Sequence, residues 1–145
     1  MKLTVKTKYG LNALAYIVKE FKGLPITGKT ISGSQKISEA YVEQVMLPLV
    51  SGGLVRTIRG SKGGYILSKD AKDITLLDII ELFEGKIDFS SSDESDKSSL
   101  QPYEYWSRDL WKVFESKIRT AASDLTLDEI IAKYMNNYKE GEYTI

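Results

Sequence analysis

The stretch ISEAYVEQVMLPLVSGGLVRTIRGSKGGYIL, residues 37–67, decides the architecture. Its first half reads as a helix. Ser38 is placed to cap it, and Glu39 puts a carboxylate in the first turn, where the helix dipole favours it. Val42, Val45, Met46 and Leu49 recur at i, i+3, i+4 and i+7, one buried stripe. Pro48 is expected to kink the last turn, and Ser51-Gly52-Gly53 supplies the C-cap. The second half holds two short apolar runs, Leu54–Ile58 and Tyr65–Leu67, around Arg59-Gly60-Ser61-Lys62-Gly63-Gly64. The glycines permit positive φ, so the pattern predicts a hairpin with a cationic tip.

Upstream, the spacing of Leu11, Leu14, Ala15, Ile17, Val18 and Phe21 predicts a helix from about Val5 to Lys22, ended by Gly23-Leu24-Pro25. Thr27 is placed to cap a second helix, Gly28 to about Ser34. Two glycines weaken it, so it depends on packing through Ile31. Gln35-Lys36-Ile37 reads as the turn before Ser38.

Downstream, Thr75-Leu76-Leu77-Asp78 opens a fourth helix with a capping-box pattern, and the helix runs to Gly85. Residues 88–99, DFSSSDESDKSS, read as a loop. A long amphipathic helix follows, about Tyr103 to Ala122, with Trp106, Leu110, Val113, Phe114, Ile118 and Ala121 at helical spacing and Trp111 beside them. Thr126-Leu127-Asp128-Glu129 caps a last short helix containing Ile130 and Ile131. The segments Ile74–Phe83 and Leu125–Tyr134 look alike but are too short to argue duplication.

The 145 residues are 42% hydrophobic, enough for a compact core with an appended element. No run approaches the ~18 apolar residues of a membrane span. The opening Met1-Lys2-Leu3-Thr4-Val5-Lys6 has no signal-peptide core, so the expected location is the cytoplasm. There is no cysteine and no histidine. That removes disulfides, thiolate zinc sites, cysteine-ligated iron–sulfur clusters and Cys–His or Ser–His catalysis. No cofactor is expected. The zero net charge hides a split. Residues 1–69 carry 11 Lys+Arg against 3 Asp+Glu, a balance of +8, and residues 70–145 carry 9 against 17, a balance of −8. A basic half suits a polyanionic partner.

Three short helices followed by a basic hairpin is the order of a winged helix-turn-helix. The expected fold is mainly α with a small β-hairpin wing and a long C-terminal dimerisation helix. The expected division is 1–85 for the DNA-binding domain, 86–102 for the acidic Ser-rich loop, and 103–145 for the dimerisation helix and tail. The third helix leaves Lys36, Ser38, Glu39, Tyr41, Glu43 and Gln44 on its N-terminal and outward side, the end that enters the major groove in this motif. Gln bonds adenine bidentately and Glu accepts from cytosine N4. Ser38 and Tyr41 suit phosphate, as do Lys6 and Lys8 at the start of the first helix, with Thr7 and Tyr9 beside them. At the tip, Arg59-Gly60-Ser61-Lys62 offers an arginine to the minor groove. Taken singly, Glu43 or Gln44 is more often a solvated helix residue, and Tyr41 suits packing as well as contact. The glycine-rich tip lacks the GxxxxGK[ST] pattern and leads into a strand, which sets a nucleotide-phosphate loop aside.

The ordered motifs resemble one family. Lys6-Thr7-Lys8-Tyr9-Gly10-Leu11, Ile37–Gln44, Leu49–Val55, Arg59–Tyr65, Ile74–Ile80 and Glu84-Gly85 together resemble the Rrf-type bacterial winged-helix transcription regulators over residues 6–85. The C-terminal part matches in layout. The resemblance implies a homodimer on a palindromic operator, acting as a repressor. The recognition helix would carry Ser38, Tyr41, Glu43 and Gln44, the wing Arg59, and the long helix would pair with its mate. That helix's apolar stripe needs a partner surface in any case, either a second chain or its own domain. Trp106, Leu110, Trp111, Val113, Phe114 and Ile118 are the expected dimer contacts.

One departure matters. Cluster-binding members carry three cysteines in the loop after the fourth helix, and Phe89–Ser99 has none. The chain is therefore closest in type to the cysteine-free branch of cysteine metabolism repressors. That branch implies a partner enzyme, O-acetylserine sulfhydrylase, which captures peptides ending in isoleucine. The tail Tyr143-Thr144-Ile145 resembles such a peptide, with Tyr143 and Ile145 as the partner contacts. Two other classes compete. A winged helix used only to bind protein is disfavoured by the basic wing and polar recognition face. An enzyme would rely on Asp93, Glu94 and Asp96, which sit in a Ser-rich loop without a scaffold to position them, so no enzymatic activity is expected.

Overall fold

The fold comes from a computed structural model that describes residues 1–89 and 102–137. The element order is α1 (Val5–Glu20), α2 (Gly28–Gln35), α3 (Glu39–Ser51), β1 (Val55–Ile58), β2 (Gly64–Leu67), a 3-10 turn (Ala71–Asp73), α4 (Leu76–Glu84), α5 (Pro102–Ser123) and α6 (Leu127–Ile130), which continues into a π turn, Ile131–Met135. Helices with one antiparallel hairpin match the expected winged-helix class.

Local chemistry sets most boundaries. Thr4 caps α1, Thr27 caps α2 and Ser38 caps α3, each hydroxyl accepting a backbone N–H three residues on. Thr75 and Asp78 form the full capping box of α4. Helix α1 ends two residues earlier than its periodicity suggested. Phe21 turns extended, is 48% exposed and leaves the apolar face. Helix α3 runs through Pro48 to Ser51, and Gly53 takes the positive φ of 76° that ends it. The chain then enters β1, paired with β2 in the register Val55↔Leu67 through Ile58↔Gly64.

One core joins all of this. Leu14, Ile17, Ile31, Val42, Val45, Met46, Leu49, Val55, Ile74 and Ile79 are almost wholly buried, at about 1.5–3 kcal/mol for each large aliphatic side chain. Helices α1 and α4 meet so closely at Gly10 that an added Cβ would overlap the Phe83 ring. The C-terminal segment enters the same core through Leu127 and Ile131. Thr75 and Thr126 form an antiparallel bridge, with Leu76 N–H donating to Leu125 O and Leu127 N–H to Ile74 O, both at 2.8 Å. The two look-alike segments therefore pair with each other. Thr126 does not cap α6 through its side chain; its hydroxyl donates instead to Asp128 at 2.5 Å.

Candidate nucleic-acid interface

The turn between α2 and α3 is built by local hydrogen bonds. Lys36 adopts left-handed backbone (φ 55°), which lets its own N–H and that of Ile37 reach Ser32 O. The Ser32 hydroxyl donates to Ile37 O at 2.5 Å. Ser38 then starts α3, with its Oγ accepting from Tyr41 N–H at 3.1 Å. Burying Val42, Val45, Met46 and Leu49 on one side turns Glu39, Glu43 and Gln44 outward, all exposed. Leu47 shares that outward side at 65% exposure. It went unnoticed in the sequence, although it lies four residues after Glu43, one helical turn along the same face.

The start of α1 is tied to α3 by Tyr9 and Tyr41, whose rings meet edge-on at 5.7 Å. Lys8 is exposed and Lys6 half-buried. Thr7 does not join them as an outward group. It is 3% exposed, and its hydroxyl donates to the Glu84 carboxylate. The same Oε1 accepts the Thr4 N–H at 2.7 Å and the Thr4 hydroxyl at 2.8 Å. The Thr7 hydroxyl and the two Thr4 donors hold the Glu84 carboxyl below its ordinary range. Thr7 thus buttresses α1 from within, a role that depends on a residue distant in sequence.

The wing tip Arg59-Gly60-Ser61-Lys62 is exposed throughout. Gly63 N–H closes the turn on Gly60 O at 3.0 Å, and a side chain at Gly63 would strike the Ile58 carbonyl. Tyr65 anchors the hairpin. Its backbone exchanges two hydrogen bonds with Ile26, at 3.0 and 2.8 Å, tying the wing to the residues just before α2. Its phenol is raised above its ordinary value by burial, with a further contribution from the Glu43 carboxylate of α3. Tyr65 was read only as a strand residue from sequence; a one-residue bridge to Ile26 has no periodic signature.

Helix α5 has two unlike faces. Its inner side holds Ala122, which is buried, and Arg119, which pairs with Glu81 at 3.0 Å and also reaches Ile87 O. Ala121, at the end of the expected apolar stripe, is exposed. The other side exposes Trp106, Leu110, Trp111, Val113 and Phe114, while Ile118 is half-buried. Trp111 and Phe114 meet at 6.3 Å, and Phe89 lies 5.3 Å from Phe114. Asp93, Glu94, Asp96, Tyr143 and Ile145 lie outside the described residues.

A capped helix-turn-helix whose hairpin is bonded back to the motif is a winged-helix DNA-binding unit. The chain belongs to the Rrf2 family, described as iron-dependent transcriptional regulators, which matches residues 3–133. It is 32% identical over 142 residues to the HTH-type transcriptional regulator CymR of Bacillus subtilis, covering 98% of this chain and 94% of that one. It is 29% identical to the HTH-type transcriptional regulator IscR of Pectobacterium atrosepticum, over 90% of this chain and 79% of that one. The solved structure of CymR, the global cysteine regulator of B. subtilis, superposes with a TM-score of 0.71 at 31% identity, over 91% of this chain and 97% of that one. This chain is accordingly a DNA-binding transcription regulator of the Rrf2 family.

The iron in the family's description finds no cysteine or histidine here. Among the described residues, no group of three or more acidic side chains is placed to hold a metal ion. Residues 90–101 add only Ser, Asp, Glu, Lys, Leu and Gln. The donor set does not fit a cysteine-ligated cluster. No helix among the described residues is long and apolar enough to cross a membrane.

Proposed function

We propose that the chain acts in the cytoplasm as a homodimeric repressor that binds a palindromic operator. Helix α3 enters the major groove by its N-terminal turns, with Glu39, Glu43 and Gln44 toward base edges and Lys36, Ser38 and Tyr41 toward phosphates. Lys6, Lys8 and Tyr9 lie along the backbone, and Arg59, with Gly60, Ser61 and Lys62, reaches the minor groove. The carrying observation is the outward polar face of α3 beside a hairpin bonded back to Ile26 with an exposed cationic tip. Dimerisation uses the exposed face of α5. Five large apolar side chains on one helix face form the kind of patch that marks an interface. The test is sequencing of genomic fragments retained by the purified protein at moderate salt. A recovered palindrome supports the reading; no enriched sequence overturns it.

A second, narrower reading is favoured by the similarity to CymR. In it the operator governs cysteine metabolism and O-acetylserine sulfhydrylase is the partner, with Tyr143 and Ile145 as contacts. Calorimetry with that enzyme tests it: Ile145→Ala abolishes binding if the reading holds. Equal binding by the variant removes these contacts.

A further inference from the structure

We propose that Glu84 is a positioning residue for operator binding: it fixes the first turn of α1 so that Lys6 and Lys8 meet DNA phosphates. The inference rests on the operator-binding reading and adds to it a residue with no place in the interface itself.

Glu84 is the last residue of α4. A carboxylate at a helix C-terminus faces the negative end of the dipole, so nothing within α4 favours it there. Its partners explain it. One oxygen, Oε1, accepts from Thr4 N–H, Thr4 Oγ1 and Thr7 Oγ1, all at the start of α1. That end of α1 has unsatisfied N–H groups and the positive end of its own dipole, and the first turn of α1 contains no acidic residue. Glu84 supplies the missing anion from another helix.

The seam is fixed at a second point. Gly10 lies against the Phe83 ring with no room for a Cβ. Adjacent residues of α4, Phe83 and Glu84, thus hold Gly10 and Thr4–Thr7 of α1. Two contacts about one turn apart set both the position and the rotation of the helix. Lys6 and Lys8 flank Thr7 in sequence, so the direction of these two cations follows from where Thr7 is held. Exposed Lys8 and half-buried Lys6 both lie on the turn that Glu84 grips.

A purely structural Glu84 would lower stability and leave the ionic part of DNA binding intact. A positioning Glu84 changes the number of phosphates neutralised. The experiment measures affinity for the recovered operator by fluorescence anisotropy across a salt series, on the full chain. It uses Glu84→Ala, Thr7→Val and Glu84→Gln, the last keeping an Oε1 acceptor. Each is also made in a Lys6→Ala/Lys8→Ala background, and thermal melts monitor folding. Each lost phosphate contact lowers the slope of log K against log salt by about 0.9, or about eightfold in affinity between 1 M and 0.1 M salt. Glu84→Ala and Thr7→Val are expected to bind about tenfold more weakly at 0.1 M, with a slope reduced by about 1–2. Glu84→Gln restores most of both, and Glu84→Ala adds nothing further without the lysines. Thr7→Val is close to isosteric and carries the test alone where Glu84→Ala does not fold. An unchanged slope, or an equal loss in the lysine-free background, overturns the proposal. If the wild type binds no operator, the operator reading itself falls; if it binds and the variants match it, only the role of Glu84 falls.

Discussion

Leu127→Ala tests whether the C-terminal segment folds as part of the winged-helix core. Leu127 is fully buried and shares one core with Ile74, Ile79 and Ile131. Its backbone is held to Ile74 at 2.8 Å, and Leu76 is held to Leu125 at the same distance. A site pinned by two backbone bonds and bordered by branched side chains collapses poorly around a lost isobutyl group. The cost therefore lies toward the middle of the Leu→Ala range, about 3–4 kcal/mol. With a urea slope of about 2 kcal/mol per molar, the unfolding midpoint falls by about 1.5–2 M. Two probes separate the parts of the chain. Both tryptophans, Trp106 and Trp111, lie on α5, so their fluorescence follows that helix, while far-ultraviolet dichroism follows all helices. One cooperative unit gives coincident transitions that move together. Protomer concentration is held constant, because dimerisation shifts apparent stability. Two separated transitions, with the dichroism midpoint moved by less than about 0.5 M, would refute the single-core reasoning.

Trp111→Ala or Phe114→Ala should shift dimer toward monomer in sedimentation velocity, by about 2 kcal/mol or more if either is a central contact; an unaffected dimer places the interface elsewhere. Arg59→Ala should weaken operator binding and reduce its salt slope by about 0.9, the value for one phosphate-level charge contact. Unchanged binding removes the wing from the interface. The Glu84 carboxyl sits below its ordinary 4.5 in the folded protein, first through the Thr7 hydroxyl and then through the Thr4 donors. Its contribution to stability is therefore complete above that value and is lost as pH falls through the lower, folded one. A carbon NMR titration of the side-chain carboxyl should show a depressed midpoint that rises in Thr7→Val. A midpoint unmoved by that change contradicts the assigned cause.

The sequence was most legible where chemistry is local. The Ser38 cap, the stripe Val42–Val45–Met46–Leu49, the Thr75–Asp78 box and the glycine-rich hairpin are all encoded within a few residues of themselves, and all four form as expected. What was missed depends on distant partners. Thr7 reads as a polar residue between two lysines until Glu84, 77 residues away, buries its hydroxyl. Tyr65 reads as a strand residue until Ile26 pairs with it. The likeness of Ile74–Phe83 to Leu125–Tyr134 was visible, but not that each supplies one side of the same bridge. At the candidate interface the outward residues of α3 were recoverable from helical phase alone, whereas the support behind α1 was not.

The distribution of charge explains why that support matters. The outward face of α3 carries Glu39, Glu43 and Gln44, and no lysine or arginine lies between Glu39 and Ser51. A helix of that composition gains little from phosphates and is repelled by them at long range, so the base-reading role proposed for it brings no ionic affinity. In the proposed complex the attraction comes from the edges of the unit: Lys6 and Lys8 on α1, Lys36 in the turn, Arg59 and Lys62 on the wing. Two of these edges are held by contacts made far away in sequence, and the turn at Lys36 by a local one. Glu84 grips the start of α1, Ser32 receives the strained turn at Lys36, and Ile26 fastens the wing through Tyr65. In the proposed complex, reading and attraction fall to different elements, and the register between them is set by these intramolecular bonds rather than by the recognition helix. On that proposal, a change in any of these bonds is expected to alter operator affinity without touching a residue that faces a base, and the salt series on Glu84→Ala and Thr7→Val checks it.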